Sequence, residues 1–210
     1  MKKQLIFLGP PGSGKGTQAK ILANRTKHKH LSTGDLLRVE IDKKTPLGKK
    51  VENILKKGLL VDDNTIMELL AANCNPAQDG HIFDGIPRTL IQAQALDEKI
   101  LKNYKKLIIY FKIDSSLLVD RITCRRVCPD CQKIFNLKFN PPKKEGVCNS
   151  CGGKLMHRND DKEETIKKRL GIFEEQTGPI LQYYKKSNNL VEIDASREVS
   201  KITDQLEKIV

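Results

Sequence analysis

Short apolar runs alternate along this chain with longer stretches in which apolar residues recur at helical spacing. The runs fall at 4–8, about 29–31, 81–83, 107–113 and 190–193. Read as strands joined by amphipathic crossover helices, they predict an α/β fold with a doubly wound, five-stranded parallel sheet. A loop carrying polar or glycine residues follows each run: Gly9–Lys15, Ser32–Asp35, Asp84–Arg88, Asp114–Ser116 and Asp194–Ser196. Ligands of such sheets bind beyond the carboxyl ends of the strands, so these five loops are expected to line one crevice. Two segments interrupt the alternation. Residues 32–62 read as short helices without a strand, and 124–161, rich in Cys, Pro, Lys and Gly, read as turns and short hairpins. The core is then expected over 1–31, 63–123 and 162–210, with insertions at 32–62 and 124–161. A long helix from about Asp161 should be broken or bent near Gly178-Pro179.

Composition narrows this picture. The chain of 210 residues is long enough for one sizeable α/β domain with insertions. No stretch approaches the roughly 18 apolar residues needed to span a bilayer. The apolar run after Met1-Lys2-Lys3-Gln4 is too short for the core of a signal peptide, which points to the cytoplasm. A net charge of +12 favours anionic partners, although most of the lysine pairs along the chain read as solvated faces.

Candidate chemistry begins directly after the first strand, where residues 9–17 read Gly-Pro-Pro-Gly-Ser-Gly-Lys-Gly-Thr. Glycines let successive backbone N–H groups turn toward an anion, the following helix adds its positive end, and Lys15 adds a mobile cation. The strict phosphate-loop pattern has Ser or Thr after the lysine; here Gly16 takes that place and Thr17 comes one later. The strand at 81–83 ends in Asp84-Gly85-Ile86-Pro87-Arg88. A carboxylate there can order the water shell of Mg²⁺, and Arg88 can grip phosphate with its planar fork. Six cysteines are present, and Cys128, Cys131, Cys148 and Cys151 form C-x₂-C-x₁₆-C-x₂-C. That spacing suits a tetrahedral S₄ site for Zn²⁺ or, less often, iron; four thiolates leave no open position, so the metal is structural. Cys74 reads as a small buried apolar residue in a helical pattern, and Cys124 as a small filler or a competing fifth ligand.

The ending Gly14-Lys15-Gly16-Thr17 resembles that of nucleoside monophosphate kinases, and further motifs narrow the resemblance to adenylate kinases. Asp84–Arg88 resembles that family's D-G-[FY]-P-R, with Ile86 in place of the aromatic. Ser32-Thr33-Gly34-Asp35-Leu36-Leu37-Arg38 resembles S-T-G-D-[ML]-L-R, and Gly58-Leu59-Leu60-Val61 resembles G-x-L-V. Asp120-Arg121-Ile122-Thr123-Cys124-Arg125-Arg126 resembles D-R-[IL]-x-x-R-R, with Cys124 where glycine is usual. Phe135–Pro142 resembles a lid hairpin, and Arg158-Asn159-Asp160-Asp161 resembles R-x-D-D, with Asn159 where lysine is often found.

The resemblance implies a P-loop NTPase-like core with a helical AMP-binding insertion and a small zinc-binding lid. It implies reversible phosphoryl transfer from MgATP to AMP, giving two ADP. Gly12, Ser13, Gly14, Lys15, Gly16 and Thr17 would hold the ATP phosphates. Arg121 would stack on the ATP adenine, Ile134 and Phe135 would lie against its base and ribose, and the Asp194–Arg197 loop would touch the adenine. On the AMP side the implied residues are Thr33, Arg38, Leu59, Leu60, Val61, Gly85, Arg88, Gln92, Arg158 and Arg169, with Gln92 reading the adenine. Lys15, Asp84, Arg88, Arg125, Arg158 and Arg169 would serve the transferring phosphates, the last two closing on them. No general base is expected, because the attacking AMP phosphate is already anionic. The expected partners are ATP, AMP and ADP, with no nucleic acid and no membrane, and the expected state is a monomer. Competing readings are a kinase for UMP, CMP or GMP, a zinc-ribbon nucleic-acid binder and a nucleotide binder without turnover. The knuckles lack the exposed aromatics that a single-strand binder uses.

Overall fold

The structure, a computed structural model, describes residues 2–210. In chain order the elements are β1 (Gln4–Leu8), α1 (Lys15–Thr26), β2 (Lys29–Ser32), α2 (Thr33–Asp42), α3 (Pro46–Lys56), α4 (Asp63–Asn73) and β3 (His81–Asp84). Then come α5 (Leu90–Ala95), which continues as a π-helical turn over Leu96–Ile100, β4 (Lys106–Lys112), α6 (Leu118–Thr123), β5 (Arg125–Val127) and β6 (Ile134–Asn136). The chain closes with α7 (Glu163–Lys185), β7 (Leu190–Asp194) and α8 (Val199–Ile209).

Five strands form one parallel sheet in the order β2-β3-β1-β4-β7. Alternate side chains of each strand point to opposite faces. Ile6, Leu8, Phe83 and Ile108 pack on one face with Leu37, Leu70 and Ile180 from the helices. Leu5, Phe7, Ile82, Ile109, Phe111 and Ile193 pack on the other with Ala19, Leu22, Ile202 and Leu206. Both faces are covered, which is why the strands read as unbroken apolar runs. The chain leaves β1 toward β2 and leaves the adjacent β3 in the other direction, toward β4. The loops after these two neighbours therefore diverge and open a crevice at the carboxyl edge.

Local chemistry sets the helix starts. Ser32, Thr45, Asp62 and Thr89 accept from the backbone N–H of Asp35, Gly48, Thr65 and Gln92, capping α2, α3, α4 and α5. Gly48 permits a close crossing, since a Cβ there would lie 2.1 Å from the carbonyl oxygen of Glu40.

Several boundaries differ from the sequence expectation. β2, β3 and β7 each run one residue further, to Ser32, Asp84 and Asp194, and β4 is shifted to 106–112. Helix α7 is continuous through Gly178-Pro179 rather than broken. Pro179 is exposed, so water can satisfy the Glu175 carbonyl that loses its partner, while buried Thr177, Ile180 and Tyr184 hold both flanks. Cys74 lies just past the end of α4 and is half-buried. The segment 124–161 contains one regular ladder, β5 against β6, plus isolated bridges such as Val127 to Met156.

Candidate active site

The glycine-rich loop leaves β1 at Leu8 and enters α1 through Gly14, whose φ of 89° is the left-handed conformation that glycine tolerates. A Cβ on Gly12 would lie 2.7 Å from Ile122 Cγ1, so this loop requires a bare backbone there. Lys15 folds back and donates from Nζ to the carbonyls of Gly9 at 2.6 Å and Pro10 at 2.8 Å, and to Ser13 Oγ at 3.3 Å. Burial, followed by the charges of Arg88, Arg169 and Arg125, lowers its pKa to about 8, although Asp84 opposes them. Gly16 stands where a Cβ would lie 3.1 Å from Asp84 Oδ2. The missing side chain after Lys15 thus gives the carboxylate at the end of β3 room against the loop. Burial alone would raise the Asp84 pKa, but His30 Nε2, 3.3 Å from Oδ2, and the charge of Lys15 keep it below the usual carboxylate range.

Five arginines surround the loop. Arg38 donates to Asp35 at 2.6 Å, and Arg158 lies 3.6 Å from the same carboxylate oxygen. Arg125 forms a fork on fully buried Asp161, with Nε 2.8 Å from Oδ2 and Nη2 on Oδ1. Arg169 donates to the carbonyl and carboxylate of Asp160 at 3.1 and 3.0 Å and lies 3.5 Å from Asp161. Arg88 donates from Nε to the Gly85 carbonyl at 2.8 Å. Burial, then the charge of Arg169, brings the Arg88 pKa to about 10; burial, then Arg38 and Arg125, does the same to Arg158. Asp35 resists its burial through Arg38 and drops to about 2.

These groups share one cavity of about 1270 Å³. Every residue singled out from the sequence for nucleotide or catalysis borders it, from Gly12 to Arg197, as does one cysteine, Cys131. At one end Arg121 donates to the carbonyls of Ala195 and Ser196 at 2.9 and 3.2 Å, tying α6 to the loop after β7. The Phe139 ring, 60% exposed, lies 5.6 Å from the Arg121 guanidinium. Phe135 borders the cavity but is buried in the lid's own core with Cys128, Cys148 and Leu155. At the other end Thr33 Oγ1 donates to the Gly85 carbonyl at 2.9 Å, and buried Gln92 and Val61 form the wall. Ile86 is fully buried in the main core, filling the place of the aromatic.

Sequence reasoning missed Lys20, Phe139 and the carboxylates that hold the arginines. Lys20 Nζ reaches from α1 to the Gln132 carbonyl at 2.6 Å, joining core to lid. Asp35, Asp160 and Asp161 sat inside recognised motifs, but their pairing with Arg38, Arg158, Arg125 and Arg169 needs three dimensions.

In the lid, the sulfurs of Cys128, Cys131, Cys148 and Cys151 lie within 4.8 Å of one another. The Cys128–Cys151 and Cys131–Cys148 pairs are 3.4 and 3.5 Å apart. A tetrahedral ion with metal–sulfur bonds of about 2.3 Å needs sulfurs about 3.8 Å apart, so the cluster fits such an ion. Cys124 stands outside it: it ends α6, and its carbonyl accepts from the Leu137 N–H at 2.9 Å.

The profile of the family described as "Adenylate kinase" matches residues 7–189. Among curated relatives, the adenylate kinase of Methanocella arvoryzae is 44% identical over 204 residues, covering 95% of this chain and 94% of that protein. That of Thermosipho melanesiensis is 43% identical over 210 residues, 98% of both chains. That of Borrelia duttonii is 44% identical over 209 residues, 99% of this chain and 97% of the relative.

Proposed function

This chain belongs to the adenylate kinase family, and on that footing we propose how its crevice carries out the family's reaction, ATP and AMP to two ADP. One observation carries the assignment of roles: ten lysine and arginine side chains border the cavity against four carboxylates. Such crowding of like charge is stabilised by polyphosphate arriving between the cations.

The ATP phosphates lie on the loop Gly12–Thr17, and Lys15 swings from its loop carbonyls onto them. Arg121 and Phe139 flank the ATP base. The AMP phosphate is held by Arg38 and Arg88, and its base lies against Leu59, Leu60 and Val61, with Thr33, Gly85 and Gln92 beside it. Arg125, Arg158 and Arg169 exchange their carboxylates for the transferring phosphoryl group and spread its charge. Mg²⁺ accompanying ATP supplies further charge neutralisation when bound, with Asp84 placed to order its water shell. Transfer then needs alignment and electrostatics alone, since the acceptor phosphate is already a nucleophilic anion. Segments 32–62 and 124–161 close over the nucleotides and exclude water, the competing acceptor.

The ion suited to the four cysteines is Zn²⁺ in a purely structural role, because all four coordination positions are thiolates. No described helix is long and apolar enough to cross a membrane. Four of the exposed large apolar residues, Leu59, Leu117, Phe139 and Val199, border the cavity, which supports a monomer. Light scattering of the purified protein checks that state.

The deciding experiment mixes the protein with MgATP and each of AMP, GMP, UMP and CMP and measures diphosphate formation. AMP should be the preferred acceptor. Arg88→Ala should lower turnover by about a hundredfold or more with an unchanged circular dichroism spectrum. Near-normal turnover would remove Arg88 from the site.

A further inference from the structure

We propose that Asp63 is a positioning residue for base selection: it locks the Gln92 amide in one orientation, so that the crevice accepts a 6-amino purine monophosphate and rejects a 6-oxo purine. The inference rests on the reading of Gln92 as the residue facing the monophosphate base.

Gln92 lies in the first turn of α5, is 2% exposed and borders the cavity. Its Oε1 accepts the backbone N–H of Arg88 at 2.7 Å, and its Nε2 donates to Asp63 Oδ1 at 2.8 Å. Thr89, the cap of α5, completes the triangle: its hydroxyl accepts from the Gln92 N–H at 3.1 Å and donates to Asp63 Oδ1 at 3.0 Å. Asp63 opens α4 and Thr89 precedes α5; neither borders the cavity. The lock therefore stands behind the reader, out of reach of ligand.

The chemistry of the partners fixes the amide. A carboxylate oxygen only accepts, so Gln92 must turn its NH₂ toward Asp63. A backbone N–H only donates, so the amide oxygen must turn toward Arg88. Rotating the amide by 180° would set oxygen against carboxylate and NH₂ against N–H, losing both bonds in a buried place. After these bonds, one N–H and one oxygen lone pair remain on the amide.

A glutamine amide that can turn over is a poor discriminator, because it offers donor and acceptor in either order. Adenine presents an N6–H donor beside the N1 acceptor. A 6-oxo purine presents the reverse, an O6 acceptor beside an N1–H donor. With the base pose set by the phosphate contacts, a fixed amide matches one pattern and opposes the other. The selectivity then resides in Asp63 and the Arg88 N–H, which hold the amide together, as much as in Gln92.

Asp63→Asn tests this, because asparagine keeps the shape and, turned so that its Nδ2 faces Gln92, withdraws one of the two restraints on the amide and leaves only the Arg88 N–H. The full chain is assayed with MgATP against AMP and IMP. The expected result is a rise in KM for AMP and a gain in kcat/KM for IMP, together narrowing the preference roughly tenfold. KM for MgATP should stay at its wild-type value. Asp63→Asn added to Gln92→Leu should change nothing further. If Gln92→Leu alone leaves KM for AMP unaltered, the reading of Gln92 itself fails. If Gln92→Leu raises KM for AMP while Asp63→Asn keeps the wild-type AMP-to-IMP ratio, the lock is overturned and the site reading stands. A lower melting temperature with an unchanged ratio would make Asp63 a helix-start residue alone, and also overturns the lock.

Discussion

Lys15 shows how far a single side chain departs from its ordinary chemistry here. Its pKa falls from 10.5 to about 8, first through burial and then through neighbouring arginines. In the folded protein without nucleotide, the lysine begins to lose its proton near pH 8, whereas in the unfolded chain it keeps it to about 10.5. The sign follows: this group adds stability to the nucleotide-free protein as pH rises from about 8 toward 10.5. Over the same window it loses the charge that phosphate needs. We therefore expect kcat/KM for MgATP to fall above pH 8, approaching about tenfold per pH unit. Buffer-dependent calorimetry should show proton uptake on MgATP binding at that pH. A flat profile to pH 9.5 would mean that Lys15 keeps its charge. At this scale the sequence was legible where a motif carries its own mechanism, as in Gly12–Thr17 or Asp84–Arg88. It was mute where the partner lies far along the chain. Asp63 meets Gln92 across 29 positions and Arg125 meets Asp161 across 36, and no local pattern announces either.

Among the elements, the lid depends most on something outside its own side chains. Its buried cluster is Cys128, Phe135, Cys148 and Leu155, two of them candidate metal ligands, and its regular ladder is three residues on each strand. So small a core folds with the help of a cross-link, and structural Zn²⁺ supplies about 10–16 kcal/mol of apparent folding energy in small metal domains. Chelation should therefore lower the melting temperature well before it alters the chemistry of enzyme that stays folded. An unchanged melting curve, with metal loss verified by elemental analysis, would refute the structural role. The cysteine spacing revealed the knuckles because metal geometry constrains sequence tightly. The sheet was legible because each strand is buried on both faces. Of the break or bend that Pro179 signals in α7, the break does not occur, because the flanking buried residues Thr177, Ile180 and Tyr184 hold the helix together.

At the scale of the molecule, the crevice works by bringing remote segments together. Lys20 on α1 reaches the Gln132 carbonyl in the knuckle, and Asn136 Nδ2 donates to the Arg121 carbonyl at 2.8 Å. These contacts draw the lid onto the core while α2 and the Leu59–Val61 stretch wall the opposite side. Lys20 borders the cavity, but its hydrogen bond is to the lid backbone, so its loss should act on closure. Lys20→Met, with dyes on lid and core, should shift the energy-transfer distribution toward open states and raise KM for MgATP severalfold. An unaltered distribution would deny it that part. That four of the five strand-end loops share one crevice could be foreseen from the order of strands and helices alone; the Asp114–Ser116 loop, expected with them, lies outside it, and only Leu117 beyond it borders the cavity. Where the lid touches the core could not be foreseen, because that depends on single side chains meeting across the cavity.

The carboxylates beneath the arginines carry a consequence for turnover. Arg38, Arg125, Arg158 and Arg169 each rest on an aspartate of the same chain, so an incoming phosphate must evict an internal rival to dock. The same rival stands ready when ADP is due to depart. Release then becomes an exchange of one anion for another, and no bare cluster of cations is left to hold the product back.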